Sequence, residues 1–170
     1  MHVIFSSDGG LTWGNETTVT SSSHFTESNY VQLSNSHIVG ILRNDNGTDG
    51  HGYWMTSSSD NGATWSAPLQ VLDGTAAAQP GRPALSITPS GKLFLVGRFG
   101  SGTGTGYSYS SDNGATWSAP TMYYVLGSKS YGAYTYAQGF YDTTTATLMY
   151  IIGEGGYTAA KMTFQQFYLQ

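Results

Sequence analysis

Short apolar runs separated by polar, glycine-rich turns follow one another along the chain: NYVQLS, HIVGILR and GYWMTSS, then PALSIT, KLFLVGR and GYSYSS. Their short length and their Val, Ile, Tyr and Phe content predict β-strands. Each set of three is followed by a polar turn and a further run, APLQVL or APTMYYV, so the pattern predicts four strands per unit. The turn signals agree: SNS separates the first two strands of one unit, PSG those of the next, and DNG lies in the turn before each fourth strand. Later runs, GAYTYAQGFY, TLMYIIGEG and KMTFQQFYLQ, continue the pattern. A helical reading fails, because 23 glycines and stretches such as GSGTGTGYSYSSDNG cannot sustain a helical stripe.

The units repeat in phase. SSDNGATWSAP occurs identically at Ser58–Pro68 and Ser110–Pro120, and a looser copy, SSDGGLTW, spans Ser6–Trp13. Asp8, Asp60 and Asp112 are each 52 residues apart, a period in the range of propeller blades. The next position in phase holds Phe164 and no further copy, so the unit over 131–170 lacks the motif. The chain is thus expected to open on the second half of one blade, hold two whole blades, and close on the first strands of another.

Composition narrows the function classes. With 14% aromatic residues and a net charge of −4 over 170 residues, the chain has the makings of a packed domain and not of a disordered one. Three lysines and three arginines, none adjacent to another, are too few to track a phosphate backbone, so no nucleic-acid partner is expected. The absence of cysteine removes disulfides, thiol nucleophiles and thiolate metal sites. No apolar stretch nears the ~20 residues of a membrane-spanning helix, so no membrane partner is expected, and MHVIFSSDGG lacks the regions of a signal peptide.

The box Ser-x-Asp-x-Gly-x-Thr-Trp at 6–13, 58–65 and 110–117 reads as a structural turn. Its carboxylate can accept the N–H groups that follow, Gly10, Gly62 and Gly114 can supply positive φ, and each Trp offers an apolar plate between strands. Acids repeated on every blade lie around a ring and do not converge on one substrate. The box resembles the Asp-box, or bacterial neuraminidase repeat, and the chain therefore resembles the sialidase-like β-propellers. That resemblance implies that the boxes join third to fourth strands on the face away from an active site.

Strand alternation then sorts the rare charges onto the opposite face. Arg43 ends HIVGILR, Arg98 ends KLFLVGR, Arg82 precedes PALSIT, and Glu154 closes TLMYIIGEG. The loop NDNGTDGHG adds Asp45, Asp49 and His51, and Tyr131, Tyr134 and Tyr136 approach from the start of the last first strand. Guanidinium groups suit bidentate capture of a carboxylate and Tyr rings suit the apolar faces of sugars; singly, each such Arg can equally be a solvated ion pair at a strand end. In the family an arginine triad grips the sugar carboxylate, a Tyr nucleophile is assisted by Glu, and an Asp is the acid/base. The stretch GRPALSITPSGKLFLVGRFG is similar to the family's Arg-Ile-Pro segment and hairpin, with Arg82 at the Arg position and Arg98 ending the second strand. It departs in lacking the apolar residue between Arg82 and Pro83, and the loop FGSGTGTGY has no Asp. Candidate catalytic residues are Tyr136, Glu154 and Asp45, and candidate ligand contacts are Arg43, Arg82, Arg98, Tyr134, His51 and Asp49.

Other chemistry is sparse. DNGTDG at 45–50 has oxygen ligands at alternate positions, but Thr56 stands where a calcium loop needs its Glu, and a polar turn is the simpler reading. His2, His24, His37 and His51 lack ligand spacing, so neither a metal nor a cofactor is expected. The expected fold is all-β, with four-stranded antiparallel propeller blades, about three per chain. A homodimeric six-bladed ring, or a longer chain, would close it. The expected function is a glycan-recognising module binding an anionic or neutral sugar on the face opposite the boxes. The alternatives are an exo-sialidase-type hydrolase, its site completed by a dimer or by further blades, and a structural scaffold. The resemblance favours an extracellular or virion or cell-surface location.

Overall fold

The computed structural model describes residues 1–34, 36–44, 46, 48–73, 80–99, 104–125, 134–142, 147–156 and 159–168; from 123 onward, and at 34 and 104, it describes backbone only. These residues form thirteen strands and no helix. β1 (His2–Phe5) and β2 (Gly14–Thr18) pair as a hairpin. β3 (Phe25–Ser34), β4 (His37–Asn44), β5 (Gly52–Ser58) and β6 (Leu69–Asp73) form one antiparallel sheet in chain order. β7 (Ala84–Ile87), β8 (Leu93–Phe99), β9 (Gly104–Ser110) and β10 (Thr121–Val125) form a second. β11 (Tyr134–Asp142), β12 (Thr147–Gly156) and β13 (Ala159–Tyr168) form a third sheet. The first strands of the sheets adjoin, β3 beside β7 and β11 beside β7 and β8, as in blades around an axis. The two whole units expected from the repeat are the two four-stranded sheets. β2, GNETT, carries no apolar residue and no pattern marks it; it is tied in by Val19 N–H donating to the Met1 carbonyl at 3.0 Å.

Blade stacking explains why the second strands read as continuous apolar runs and not as alternating ones. Every residue of β8, LFLVGRF, is buried, because both faces of this strand lie under neighbouring structure. The core joins Val39, Ile41, Tyr53 and Leu72 of one blade to Leu85, Leu93, Leu95 and Phe99 of the next. Blades approach so closely that several contacts tolerate no Cβ. A Cβ at Gly62 would fall 2.9 Å from Phe5 Cε1, one at Gly97 would fall 2.8 Å from Tyr53 Cζ, and one at Gly114 would overlap Met55 Sδ.

The three boxes adopt one geometry. The Ser hydroxyl donates to Asp Oδ1 at 2.7–2.8 Å and accepts the N–H of the box Gly at 2.7–2.8 Å. The Thr N–H donates to Asp Oδ1 at 2.8–2.9 Å, and the Thr hydroxyl to Oδ2 at 2.5–2.6 Å. The indole N–H returns to the Gly carbonyl at 3.0 Å in each copy. Gly62 and Gly114 take φ of 85° and 93°, and the preceding Asn61 and Asn113 are also left-handed at 59°, a conformation Asn tolerates better than most residues. Asn61 N–H donates to the Ser36 carbonyl at 2.9 Å, which puts the box at the same end of its blade as the β3–β4 turn. The start of β3 and the end of β4 are therefore at the other end.

The carboxyls of Asp8, Asp60 and Asp112 are each held down to about 2, first by the Thr hydroxyl, then by the Thr N–H and the Ser hydroxyl. A carboxyl that binds its proton more weakly folded than unfolded contributes stability that is complete above its unfolded value and lost as pH falls through the folded one. The melting temperature should therefore drop between about pH 4 and pH 2. Asp60→Ala should melt lower at neutral pH and show a shallower acid drop; an unchanged acid slope would remove the box carboxyls as its source. Gly97→Ala should cost about 1–3 kcal/mol in urea unfolding, through overpacking against Tyr53, since Gly97 has an ordinary φ.

Candidate functional site

The end of the blades away from the boxes gathers most of the described cations. Arg43 is the penultimate residue of β4, where the strand is already covered on both faces, and only 8% of it is exposed. Its Nη1 forms an ion pair with Oε2 of Glu27, which comes from the start of β3 just beyond the break in the β3–β4 register. Arg98 is the penultimate residue of β8, 6% exposed, and its Nη2 donates to the Pro80 carbonyl at 3.1 Å. Arg82 is exposed on the segment that leads into β7. Arg43 and Arg98 are thus held within the protein wall and are not solvated strand-end pairs, and Arg82 stands at its surface.

Tyr53 links the two buried arginines. Across β4 and β5 it is the register partner of Arg43, and its hydroxyl reaches the next blade. There it accepts the Arg98 N–H at 3.0 Å and donates to the Arg98 carbonyl at 3.3 Å. The ring is fully buried and meets Phe99 edge-on at 5.4 Å. Burial pushes the phenol well above its ordinary range; the Arg98 backbone and the nearby charges of Arg98 and then Arg43 pull the other way. The hydroxyl therefore ties the main chain of Arg98 to the strand beside Arg43.

The remaining candidates spread around this centre. Asp49 is exposed and pairs with Nδ1 of His24. His51 is half-buried, and its carbonyl accepts Gln70 Nε2 at 2.9 Å. The loop before it is organised by its own amides: Asn44 Oδ1 accepts the Asn46 N–H at 2.9 Å, and Asn46 Oδ1 accepts the Thr48 N–H at 3.1 Å. Among the described residues no three His, Asp or Glu side chains gather as a metal site would require. Asp45 and Tyr131 lie outside the described residues. Tyr134 opens β11 opposite Gly155, Tyr136 pairs with Gly153, and Glu154 of β12 pairs with Thr135, one register step from Tyr136.

Glu27 and Tyr53 were not visible as site residues in the sequence. Glu27 sits in ESNYVQLS ahead of the apolar run, and only the register brings it to Arg43. For Tyr53 the available signal was Arg82-Pro83, a proline where a strand ladder would otherwise continue.

No protein-family model matches the chain, and no curated protein is similar to it. Solved structures are similar in fold. A Dyadobacter fermentans protein of unknown function superposes with a TM-score of 0.67 at 17% identity, over 99% of this chain and 52% of its own length. The leech intramolecular trans-sialidase in complex with 2,7-anhydro-Neu5Ac gives 0.62 at 16% identity, over 95% of this chain and 28% of its own. The intramolecular trans-sialidase of Ruminococcus gnavus in complex with oseltamivir carboxylate gives 0.61 at 16% identity, over 95% and 38%. The chain spans about half the length, or less, of these structures, and across that span it shares their fold of antiparallel, propeller-like blades.

Proposed function

We propose that the chain is a glycan-recognising module that binds an acidic sugar at the blade ends opposite the boxes. The observation that carries this reading is the gathering of Arg43 and Arg98 at the blade ends opposite the boxes, both buried and both held, with Arg82 exposed on the segment that leads into β7. Guanidinium groups already fixed by the protein lose little freedom on binding and match a carboxylate bidentately. Two of the similar structures carry 2,7-anhydro-Neu5Ac and oseltamivir carboxylate, acidic ligands of the kind such a pair would hold. His51, Asp49 and the Tyr134 position at the head of β11 are proposed as the polar and aromatic rim, with Asp45 in the same loop.

A second reading, glycoside hydrolysis, is favoured by Glu27, which places a carboxylate against Arg43 at this same end. Hydrolysis would need a nucleophile and an acid/base beside it, for which Tyr136, Glu154 and Asp45 are the proposed groups. Either reading calls for a completed ring. Leu11 and Trp13 of the first box are 85% and 62% exposed, whereas Trp117 of the third packs against the core. We propose that further blades, from a second copy or from a longer chain, cover this surface.

Binding of N-acetylneuraminic acid, followed by calorimetry, tests the first reading. Arg82→Ala should weaken it by roughly 1.5–3 kcal/mol while the melting temperature stays within a degree or two, because an exposed Arg contributes little to stability. No binding to any acidic sugar on a glycan array would overturn it. Turnover of a fluorogenic sialoside, abolished in Asp45→Asn with binding kept, would establish the hydrolase instead. Light scattering that finds only monomer would exclude the two-copy ring.

A further inference from the structure

The inner edge of β8 has a gap that a neighbouring blade fills. β7 pairs with β8 from Ile87 opposite Leu93 to Ala84 opposite Val96, and there the ladder stops. One more step in that register would bring Pro83 opposite Gly97, a pair that exchanges no ladder hydrogen bonds because Gly97 turns its N–H and carbonyl toward β9. A further step would bring Arg82 opposite Arg98. Arg98 is buried, so its backbone N–H and carbonyl need partners that β7 does not supply. The Tyr53 hydroxyl supplies both, at 3.0 Å and 3.3 Å.

The same contact controls direction as well as satisfaction. The Tyr53 ring lies over Gly97, where no Cβ fits, and against the edge of Phe99, so the residues on either side of Arg98 are clamped by one side chain. The guanidinium of Arg98 is drawn to Pro80, at the other end of the same approach segment. Through its ladder position Tyr53 is also the cross-strand neighbour of Arg43. A single side chain thus joins the strand that follows Arg43 to the main chain of Arg98 on the next sheet.

We propose that Tyr53 is the positioning residue of the arginine face, setting the spacing and direction of the Arg98 and Arg43 guanidinium groups across the blade boundary. Its ligand consequence rests on the acidic-sugar reading above; its mechanical consequence does not. A single guanidinium can hold a carboxylate bidentately and a second adds a charge at a set distance, so loss of the hydroxyl should loosen selection for that ligand without emptying the core.

Tyr53→Phe removes the hydroxyl and keeps the ring over Gly97 and against Phe99. The first measurement is the Arg98 Nε–Hε resonance in 15N-edited spectra of the folded, full-length chain. It should be a single sharp signal in the parent and broadened or split in Tyr53→Phe; the Arg98 amide should lose roughly tenfold or more of its hydrogen-exchange protection relative to Leu95. The second is affinity for N-acetylneuraminic acid, measured well below the variant's own melting temperature, which should fall by roughly tenfold. A variant that is less stable yet keeps the Arg98 resonance and the parent affinity would overturn the proposal and leave Tyr53 a plug in the core. If the parent binds no acidic sugar, the function reading fails, and the arginine resonance alone decides the role of Tyr53.

Discussion

Close approach of one blade to the next is the constraint on which this structure depends. Phe5 rests on Gly62, Tyr53 on Gly97 and Met55 on Gly114, each a side chain of a third strand set onto a glycine of the following blade. Side-chain bulk on one sheet is matched by its absence on the other, and dense packing with few voids follows from that match. Two of the three glycines belong to boxes, so the turn that closes a hairpin is also the surface on which the preceding blade sits. Repetition of the box at 52 residues is therefore repetition of an inter-blade contact as well as of a turn.

The second consequence of close stacking is electrostatic. In a chain with 9% charged residues, burial of Arg43 and Arg98 at a blade boundary would be costly without partners. Glu27 meets one and the Pro80 carbonyl meets the other, and a phenol hydroxyl stands near both. Both buried cations are thus held by the protein's own groups, whereas Arg82 stands outside the wall.

What could be read from the sequence was what is local. Box hydrogen bonds join residues two to four apart, so the identical strings at Ser58 and Ser110 folded into identical geometry, as did the looser copy at Ser6. The strand runs likewise translated directly into four-stranded meanders, and strand polarity alone placed Arg43 and Arg98 at the end away from the boxes. Their burial was not legible, because it is decided by the blade next door. Tyr53 and Glu27 were missed for the same reason: each acts across a register or a blade boundary, 45 and 16 residues along the chain. Left-handed Asn61 and Asn113 went unnoticed beside the more obvious glycines.

Locality of the box also bears on the order of folding. Its bonds close within a few residues, so forming it costs little loop-closure entropy, although the lowest contact order in each blade belongs to the hairpin of first and second strands, whose register partners lie nearer in sequence than those of the third and fourth. The Tyr53 contact with Arg98 spans 45 residues and can form only when two blades already exist. The box turns and the hairpins of first and second strands are thus the natural nuclei, and the contact between blades at the arginine face comes after them, assembled from pieces whose own turns were complete before it.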